Sequence, residues 1–155
     1  MLSEASLSDL KEALTSAELA AIAPSVLGVP ADGADEAREL WLQAKLDRAS
    51  RRGIAACNSC ALNPQLSVSA GRVPASQVHT VLVLARHAVI SCIPGMAETL
   101  EGSSRQAEYN TATRELERLA SCDLRVDGEI LEGDESGLPH GMGVLTRPSF
   151  DFSGL

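Results

Sequence analysis

The sequence has 155 residues and a net charge of −8, which predicts a single acidic domain that is large enough to bury a core. The acidic balance argues against a sequence-specific DNA-binding protein, because such proteins neutralise phosphates with Lys and Arg. Since 45% of the residues are hydrophobic but only 3% are aromatic, the core must consist of Leu, Val, Ile and Ala, which favours packed helices over a β-sandwich.

The first predicted helix runs from about Ser6 to Ala23. Apolar residues recur in it at spacings of three and four, which makes one apolar stripe. The stripe consists of Leu7, Leu10, Leu14, Ala17 and Ala21. Ser6 or Ser8 can cap its start, and Pro24 prevents its continuation. The following segment, SVLGVPADGAD, is a predicted linker because of its Gly and Pro residues.

The second predicted helix begins near residues 32–35 and ends at about Cys57. Its apolar stripe consists of Leu42, Leu46, Ala49, Gly53 and Ala56. Trp41 and Ala44 widen this stripe, so we expect the helix to contact neighbours on two sides. The segment CNSCALNPQLSVSAGR then predicts an ordered loop, because it has turn residues but few charges.

The third predicted helix begins with Pro74 at its first position, where the missing N–H costs nothing. It ends at the Pro94-Gly95 pair. The segment VPASQVHTVLVLARHAVISCIPG is apolar nearly all round. Such a helix lies at the centre of its own bundle or is covered by a neighbouring subunit.

The fourth predicted helix begins with a capping-box pattern, Ser103-x-x-Gln106. Its buried stripe consists of Tyr109, Ala112, Leu116 and Leu119. The opposite face is charged, and it is either a solvated surface or a contact between subunits. The candidates for a subunit interface are Arg105, Glu108, Arg114, Glu115 and Arg118.

The pattern after the fourth helix predicts a change of organisation. Residues 1–126 form the predicted helical bundle, residues 127–144 an acidic Gly-rich linker, and residues 145–155 a C-terminal tail. The segment DLRVDGEIL predicts a short extended piece with a turn at Asp127-Gly128. The expected fold is therefore an all-α bundle of about four helices, with a short extended segment and an extended tail.

The tail contains both phenylalanines of the chain, in VLTRPSFDFSGL. A free tail would leave these rings in water, so we expect them to be covered. One interpretation is that the tail docks on a partner through Arg147, Phe150, Phe152 and Leu155. The other is that the tail folds back on its own bundle.

Cys57 and Cys60 form the one recognisable chemical motif, CxxC. A zinc site would need about four ligands, and no second motif supplies them. A redox CxxC usually opens a helix, where the helix dipole lowers the thiol pKa, but this pair closes a helix. A helical peroxidase of the alkylhydroperoxidase type would have His in place of Asn63. The favoured interpretation is that the two residues pack at a helix end.

The remaining cysteines and the histidines suggest no catalytic centre. The segment MLSEASLSDL lacks the features of a signal peptide, so we expect reduced thiols in a cytosolic compartment. The longest apolar run contains Arg86 and His87 and is too short for a membrane span.

We expect His79 and His87 to form local hydrogen bonds or face solvent. No catalytic, cofactor or metal site is expected.

Several segments occur in a distinctive order: DLKEALTSAEL, then LDRASRRGIAACN, then LARHAV in a helix between Val-Pro and Pro-Gly. The fourth helix has the form R-x-x-x-Y-x-x-A-x-x-x-L-x-x-L-A, from Arg105 to Ala120, and the chain ends in TRPSFDFSGL. In this order the segments resemble the head–tail connector (adaptor) proteins of tailed bacteriophages, most closely those of Mu-like phages. The resemblance covers about residues 6–126 and the last eleven residues. The chain departs from the family at Leu46 and Cys57, where members often have Ile and Tyr.

The resemblance implies a structural virion protein with no enzymatic activity, cofactor or metal. Connectors of this type form a homo-oligomeric ring, commonly of twelve copies, in the neck of the particle. The portal protein lies above the ring, and a tail or stopper (terminator) protein lies below it. DNA passes through the channel without sequence-specific binding, which suits an acidic protein. The implied location is the virion neck, and the host cytoplasm during assembly, with no membrane contact.

Two alternatives stay open at this point. The chain could be a cytosolic helical redox enzyme that uses the CxxC motif, or a small helical protein-interaction module. Under the connector interpretation, the C-terminal tail would dock on the portal.

Overall fold

The computed structural model describes residues 2–68 and 71–126. The helices of this part are α1 Leu7–Ala13, α2 Ser16–Ala21, α3 Pro24–Leu27, α4 Ala34–Ser59, α5 Val78–Ile90 and α6 Ser104–Ala120. Short 3-10 turns cover Ala31–Gly33, Ala75–Gln77 and Ala97–Thr99. Two short strands, β1 Leu2–Ser3 and β2 Val73–Pro74, pair antiparallel. The predicted all-α class is confirmed.

Helices α4, α5 and α6 form the core of the bundle. Each packs against the other two, and α1 packs against α4 and α5. The largest side chains that are completely buried belong mainly to these helices, and Leu10 and Ile22 extend the same core toward the N-terminus. The short N-terminal helices therefore cover one side of a three-helix core.

Helix α5 is the central helix. Its only exposed residue is His79, and the rest of the helix is buried or half-buried. Helices α1, α4 and α6 supply the cover. Of the two interpretations of its apolar faces, burial within its own bundle is the one that the structure shows.

The predicted first helix is wrong, because it is broken at Leu14, whose backbone is extended. Thr15 caps a second helix: its side chain accepts a hydrogen bond from the Glu18 N–H, and the Glu18 carboxylate accepts one from the Thr15 N–H. Ser6 and Asp9 make the same reciprocal pair at the start of α1. The T-x-x-E pattern in the sequence therefore indicates that a new helix starts at Thr15.

The predicted linker after Ala23 also contains a helical turn. Pro24 begins α3, and Gly28 ends it in the left-handed conformation with φ of 69°. Glycine adopts that conformation without the steric cost that a side chain adds.

Helix α4 begins and ends within about two residues of the prediction, and α6 begins directly after the predicted cap Ser103. Helix α5 runs from Val78 to Ile90 rather than from Pro74 to the Pro94-Gly95 pair. Pro74 is extended, with ψ of 141°, and pairs with Leu2 in the small sheet. A 3-10 turn then leads into the helix. At α6, Ser103 accepts a hydrogen bond from the Gln106 N–H, but the Gln106 side chain bonds to His87 and Asn110 instead of completing the capping box.

The cysteine prediction is wrong for two of the four residues. Cys60 and Cys122 form a disulfide, with their Cα atoms 5.3 Å apart, whereas Cys57 and Cys92 are free thiols. The bond is geometrically accessible because α4 and α6 end beside each other. Sequence spacing alone did not indicate this pairing, since the two cysteines are 62 residues apart.

The predicted linker and tail, residues 127–144 and 145–155, lie outside the described residues, as does the Asp127-Gly128 turn. Within residues 2–68 and 71–126, no helix combines the length and the apolar character needed to cross a membrane.

Candidate functional site

The CxxC motif is not a dithiol pair in this structure, because Cys60 is bonded to Cys122. Cys57 lies on the buried face of α4 with no exposed surface. Burial raises the pKa of the Cys57 thiol, because desolvation disfavours the thiolate. Cys57 therefore fits the predicted packing role, while Cys60 crosslinks the ends of two helices.

Neither histidine of α5 belongs to a metal-binding cluster in the described part of the chain, where no group of three or more His, Cys, Asp or Glu residues could hold a metal ion. His79 is exposed. His87 stacks on Tyr109 with the ring centres 3.7 Å apart, and its Nε2 lies 3.2 Å from the Gln106 Oε1. His87 thus joins α5 to α6 through stacking and one polar contact.

Three of the five interface candidates on α6 have partners within the chain. Arg105 forms an ion pair with Glu18, which is only 6% exposed. Glu108 Oε2 lies 2.7 Å from Arg86 Nη2. These two pairs connect α6 to α2 and to α5.

Glu115 is the third candidate with an internal partner. Its two carboxylate oxygens accept hydrogen bonds from the Gln77 amide at 3.0 Å and from the Thr80 hydroxyl at 2.8 Å. Both donors are buried, so this carboxylate satisfies polar groups that would otherwise be unpaired at the start of α5. The contacts position the start of α5 against α6.

Arg114 and Arg118 are the two remaining candidates, and both are exposed on α6. They are the candidates that the fold leaves available to another molecule. The predicted docking residues of the tail, Arg147, Phe150, Phe152 and Leu155, lie outside the described residues.

The structure brings together one set of residues that the sequence patterns did not single out. Along α4, Lys45, Arg48 and Arg52 line a groove of about 290 Å³ between α4 and the α5–α6 pair. We call this surface the basic groove. Its other lining residues are Ala49, Leu84, His87, Ala88, Ser91 and Tyr109. In the sequence, these basic residues recur at spacings of three and four, which places them on one face of the helix.

Two of the three cations in the basic groove make contacts with uncharged groups. The Arg52 guanidinium lies beside the Tyr109 hydroxyl and lowers the pKa of the Tyr109 phenol. The Lys45 Nζ lies 4.8 Å from the centre of the Trp41 ring and 3.1 Å from the Cys92 Sγ. Among the described residues, none of the three cations is within salt-bridge distance of a carboxylate.

The end of α6 is held beside the end of α4 by several contacts. Besides the disulfide, the Val126 N–H donates a hydrogen bond to the Asn63 Oδ1 at 3.1 Å. The Asn58 side chain exchanges two hydrogen bonds with the Leu66 backbone, at 2.7 and 2.9 Å. The chain therefore leaves the described bundle at a defined position, next to the loop that follows α4.

Comparison of the chain with protein-family models, with curated proteins and with solved structures finds no match.

Proposed function

We propose that this protein is a structural adaptor of the head–tail connector type found in tailed bacteriophages. In this proposal it forms a homo-oligomeric ring below the portal protein and joins the capsid to the tail. It contributes to the wall of the DNA channel and has no catalytic role.

The proposal is supported by the positions in the fold of the segments that resemble the connector family. The pattern on α6 places Ala112, Leu116 and Leu119 in the core, and Tyr109 stacks on His87. The LARHAV segment belongs to the central helix α5. These segments thus support a helical scaffold, and their polar side chains largely connect one helix to another.

In this proposal, the contacts that assemble the ring do not involve the apolar faces of α5, contrary to what the sequence had suggested. The apolar faces of α5 are covered within one chain and so provide no reason for a second copy. The proposed contacts between copies instead use exposed charges such as Arg114 and Arg118, and Coulomb attraction between exposed charges is weak and screened by salt. Such a ring would assemble on a template, which is the portal in this proposal.

The redox alternative is less well supported. Its nucleophile would have to be Cys57, which is buried and has a raised pKa, or Cys60, which is held in a disulfide with Cys122. A thiolate nucleophile requires the opposite environment.

The test is reconstitution with the portal protein encoded in the same genome. We expect electron microscopy to show a ring of copies on the portal, and deletion of residues 145–155 to abolish attachment while circular dichroism shows unchanged helicity. If the full-length protein does not bind the portal, and particles contain it as isolated single copies, the proposal is wrong. A large loss of thermal stability on deletion would instead indicate that the tail packs on its own bundle.

A further inference from the structure

We propose that the basic groove binds the acidic segment 127–138 of the same chain, and so holds the beginning of the C-terminal region against the bundle. The proposal rests on the groove, on the sequence that follows Val126 and on the distance between them. It does not depend on the proposed function.

The groove has an excess of positive charge that the described residues do not balance. Lys45, Arg48 and Arg52 follow each other at spacings of three and four, so they lie on one face of α4. Like charges at these spacings destabilise a helix slightly. No Asp or Glu lines the groove, and within residues 2–68 and 71–126 no carboxylate pairs with any of the three cations. An anionic occupant would remove this repulsion.

The groove also has an apolar part. Ala49, Leu84 and Ala88 line it, together with the stacked rings of His87 and Tyr109. A peptide with both carboxylates and aliphatic side chains therefore complements it better than a small inorganic anion does.

Residues 127–138, DGEILEGDESGL, have this composition. Their five acidic residues are Asp127, Glu129, Glu132, Asp134 and Glu135. Ile130 and Leu131 lie between the acidic positions, and no Lys or Arg occurs between Arg125 and Arg147. This segment has the strongest local negative charge in a chain whose net charge is −8.

The segment begins close enough to reach the groove. The bond between Val126 and Asn63, together with the Cys60–Cys122 disulfide, places its start at the C-terminal end of α4. Along a helix with a rise of 1.5 Å per residue, Arg52 lies about 12 Å from Cys60. Six extended residues, 127–132, span up to about 20 Å. Glu132 can therefore reach Arg52, and the next three residues can continue toward Arg48.

Attachment to the same chain favours this occupant over an acidic peptide from another protein. A short tether gives a bound segment an effective concentration in the millimolar range, so weak contacts are sufficient. Because the contacts are exposed and ionic, we expect them to weaken as salt concentration rises.

The test uses the full-length protein with a nitroxide label on Cys92. This thiol is exposed and lies beside Lys45 at one edge of the groove, whereas Cys57 is buried and the other two cysteines form a disulfide. At low salt we expect the label to broaden the amide NMR signals of residues 129–135. High salt or the Arg48→Glu substitution should remove the broadening.

Arg48 is a suitable position because the described residues provide no ion pair or hydrogen-bond partner for its guanidinium. Arg114→Glu, on the exposed face of α6, makes the same charge change away from the groove and should leave the broadening unchanged. A second variant, Glu132→Arg combined with Arg48→Glu, should restore part of the broadening, because the two exchanged charges attract each other again.

Three results would overturn the proposal. The first is no broadening of residues 129–135 at low salt, and the second is broadening that Arg48→Glu does not reduce. The third is broadening that disappears when labelled protein is diluted with unlabelled protein. The last result would show that the segment binds a second copy. None of these results would bear on binding to a portal, so the two proposals can fail separately.

Discussion

At the scale of single residues, burial separates the two free cysteines. Cys57 is completely buried on α4, and its thiol pKa is raised. Cys92 is exposed just after α5, and its Sγ lies 3.1 Å from the Lys45 ammonium. Alkylating reagents attack the thiolate and need access to it, so burial and a raised pKa both protect Cys57 from them.

We therefore expect iodoacetamide to modify Cys92 rapidly and Cys57 only when the protein unfolds. Mass spectrometry of the native protein should show one modification, and Cys92→Ser should remove it. In denaturant without reductant, two thiols should react. Rapid modification of Cys57 in the native protein would contradict its burial.

Tyr109 gives a second prediction, because it is the only tyrosine in the chain and its titration is unambiguous. The neighbouring Arg52 guanidinium lowers the pKa of its phenol. Arg52→Met should therefore raise this pKa, as measured by ultraviolet absorbance during alkaline titration. Arg51→Met, which changes the neighbouring exposed residue, is the matched control and should have no effect.

The sign of the linked stability follows from that lowered pKa. A phenol with a lower pKa in the folded state stabilises the fold only at alkaline pH, and this contribution is lost as the pH falls through the folded pKa. The difference in unfolding free energy between the native protein and Arg52→Met should therefore increase as the pH rises from the lowered folded pKa to about 10, the ordinary tyrosine value, and level off above it. A constant difference across this range would show that the phenolate gains nothing from Arg52.

At the scale of elements, local signals explain where helices begin better than where they end. Ser6, Thr15 and Ser103 each accept a hydrogen bond from a backbone N–H in the first turn of a helix. The capping pattern at Thr15 competes with continuation of α1 and produces two short helices from one apolar stripe. Propensity and periodicity alone had predicted a single helix, since both halves contain good helix formers.

The crossing of α4 and α5 depends on Gly53, a residue that the apolar stripe of α4 had included. A Cβ atom at this position would lie 3.1 Å from the Val81 Cγ2 and 3.8 Å from the Val73 Cγ1. The glycine thus allows a close approach of the two helices, at the cost of lower helix propensity.

We expect Gly53→Val to destabilise the protein by about 1–3 kcal/mol, the usual range for overpacking a core. Chemical denaturation should show a lower midpoint. Adding Val81→Ala should recover part of the loss, because it removes the methyl groups that the new side chain meets. Gly53→Ala should be nearly neutral, since the gain in helix propensity offsets a small displacement of Val81. A fully stable Gly53→Val variant would contradict the close approach.

At the scale of the whole molecule, the Cys60–Cys122 disulfide closes a loop that contains all of α5 and α6. For a loop of 62 residues, the chain-entropy account of disulfide stabilisation gives about 4 kcal/mol. The crosslink restricts the unfolded chain, and in the folded state it joins helix ends that are already adjacent.

The variant Cys60→Ser with Cys122→Ser should therefore unfold at a clearly lower denaturant concentration, by an amount that corresponds to about 2–5 kcal/mol. Reductant should lower the midpoint of the native protein to nearly the same value and should not affect the variant. Cys92→Ser is the control for loss of a thiol. Equal midpoints for the native protein and the double variant would show that the crosslink does not stabilise the fold.

Composition and periodicity were sufficient for the fold class and for the three long helices. The scarcity of aromatic residues and the three-and-four spacing of Leu42, Leu46, Ala112 and Leu116 both indicate helices that pack on one another. These signals are local, because a helix is stabilised by residues that are near one another in sequence. They placed both ends of α4 within about two residues, and the capping pattern at Ser103 placed the start of α6.

The remaining features depended on which distant residues the packing brings together. The pairing of Cys60 with Cys122, the internal partners of Arg105, Glu108 and Glu115, and the basic groove all join elements that are far apart in the chain. A charge pattern on one helix shows that a face is polar, but it does not show whether a partner within the chain already occupies that face. Only the tertiary structure decides this, because ion pairs, disulfides and grooves require contact in space, and the sequence pattern of a single helix specifies its own surface alone.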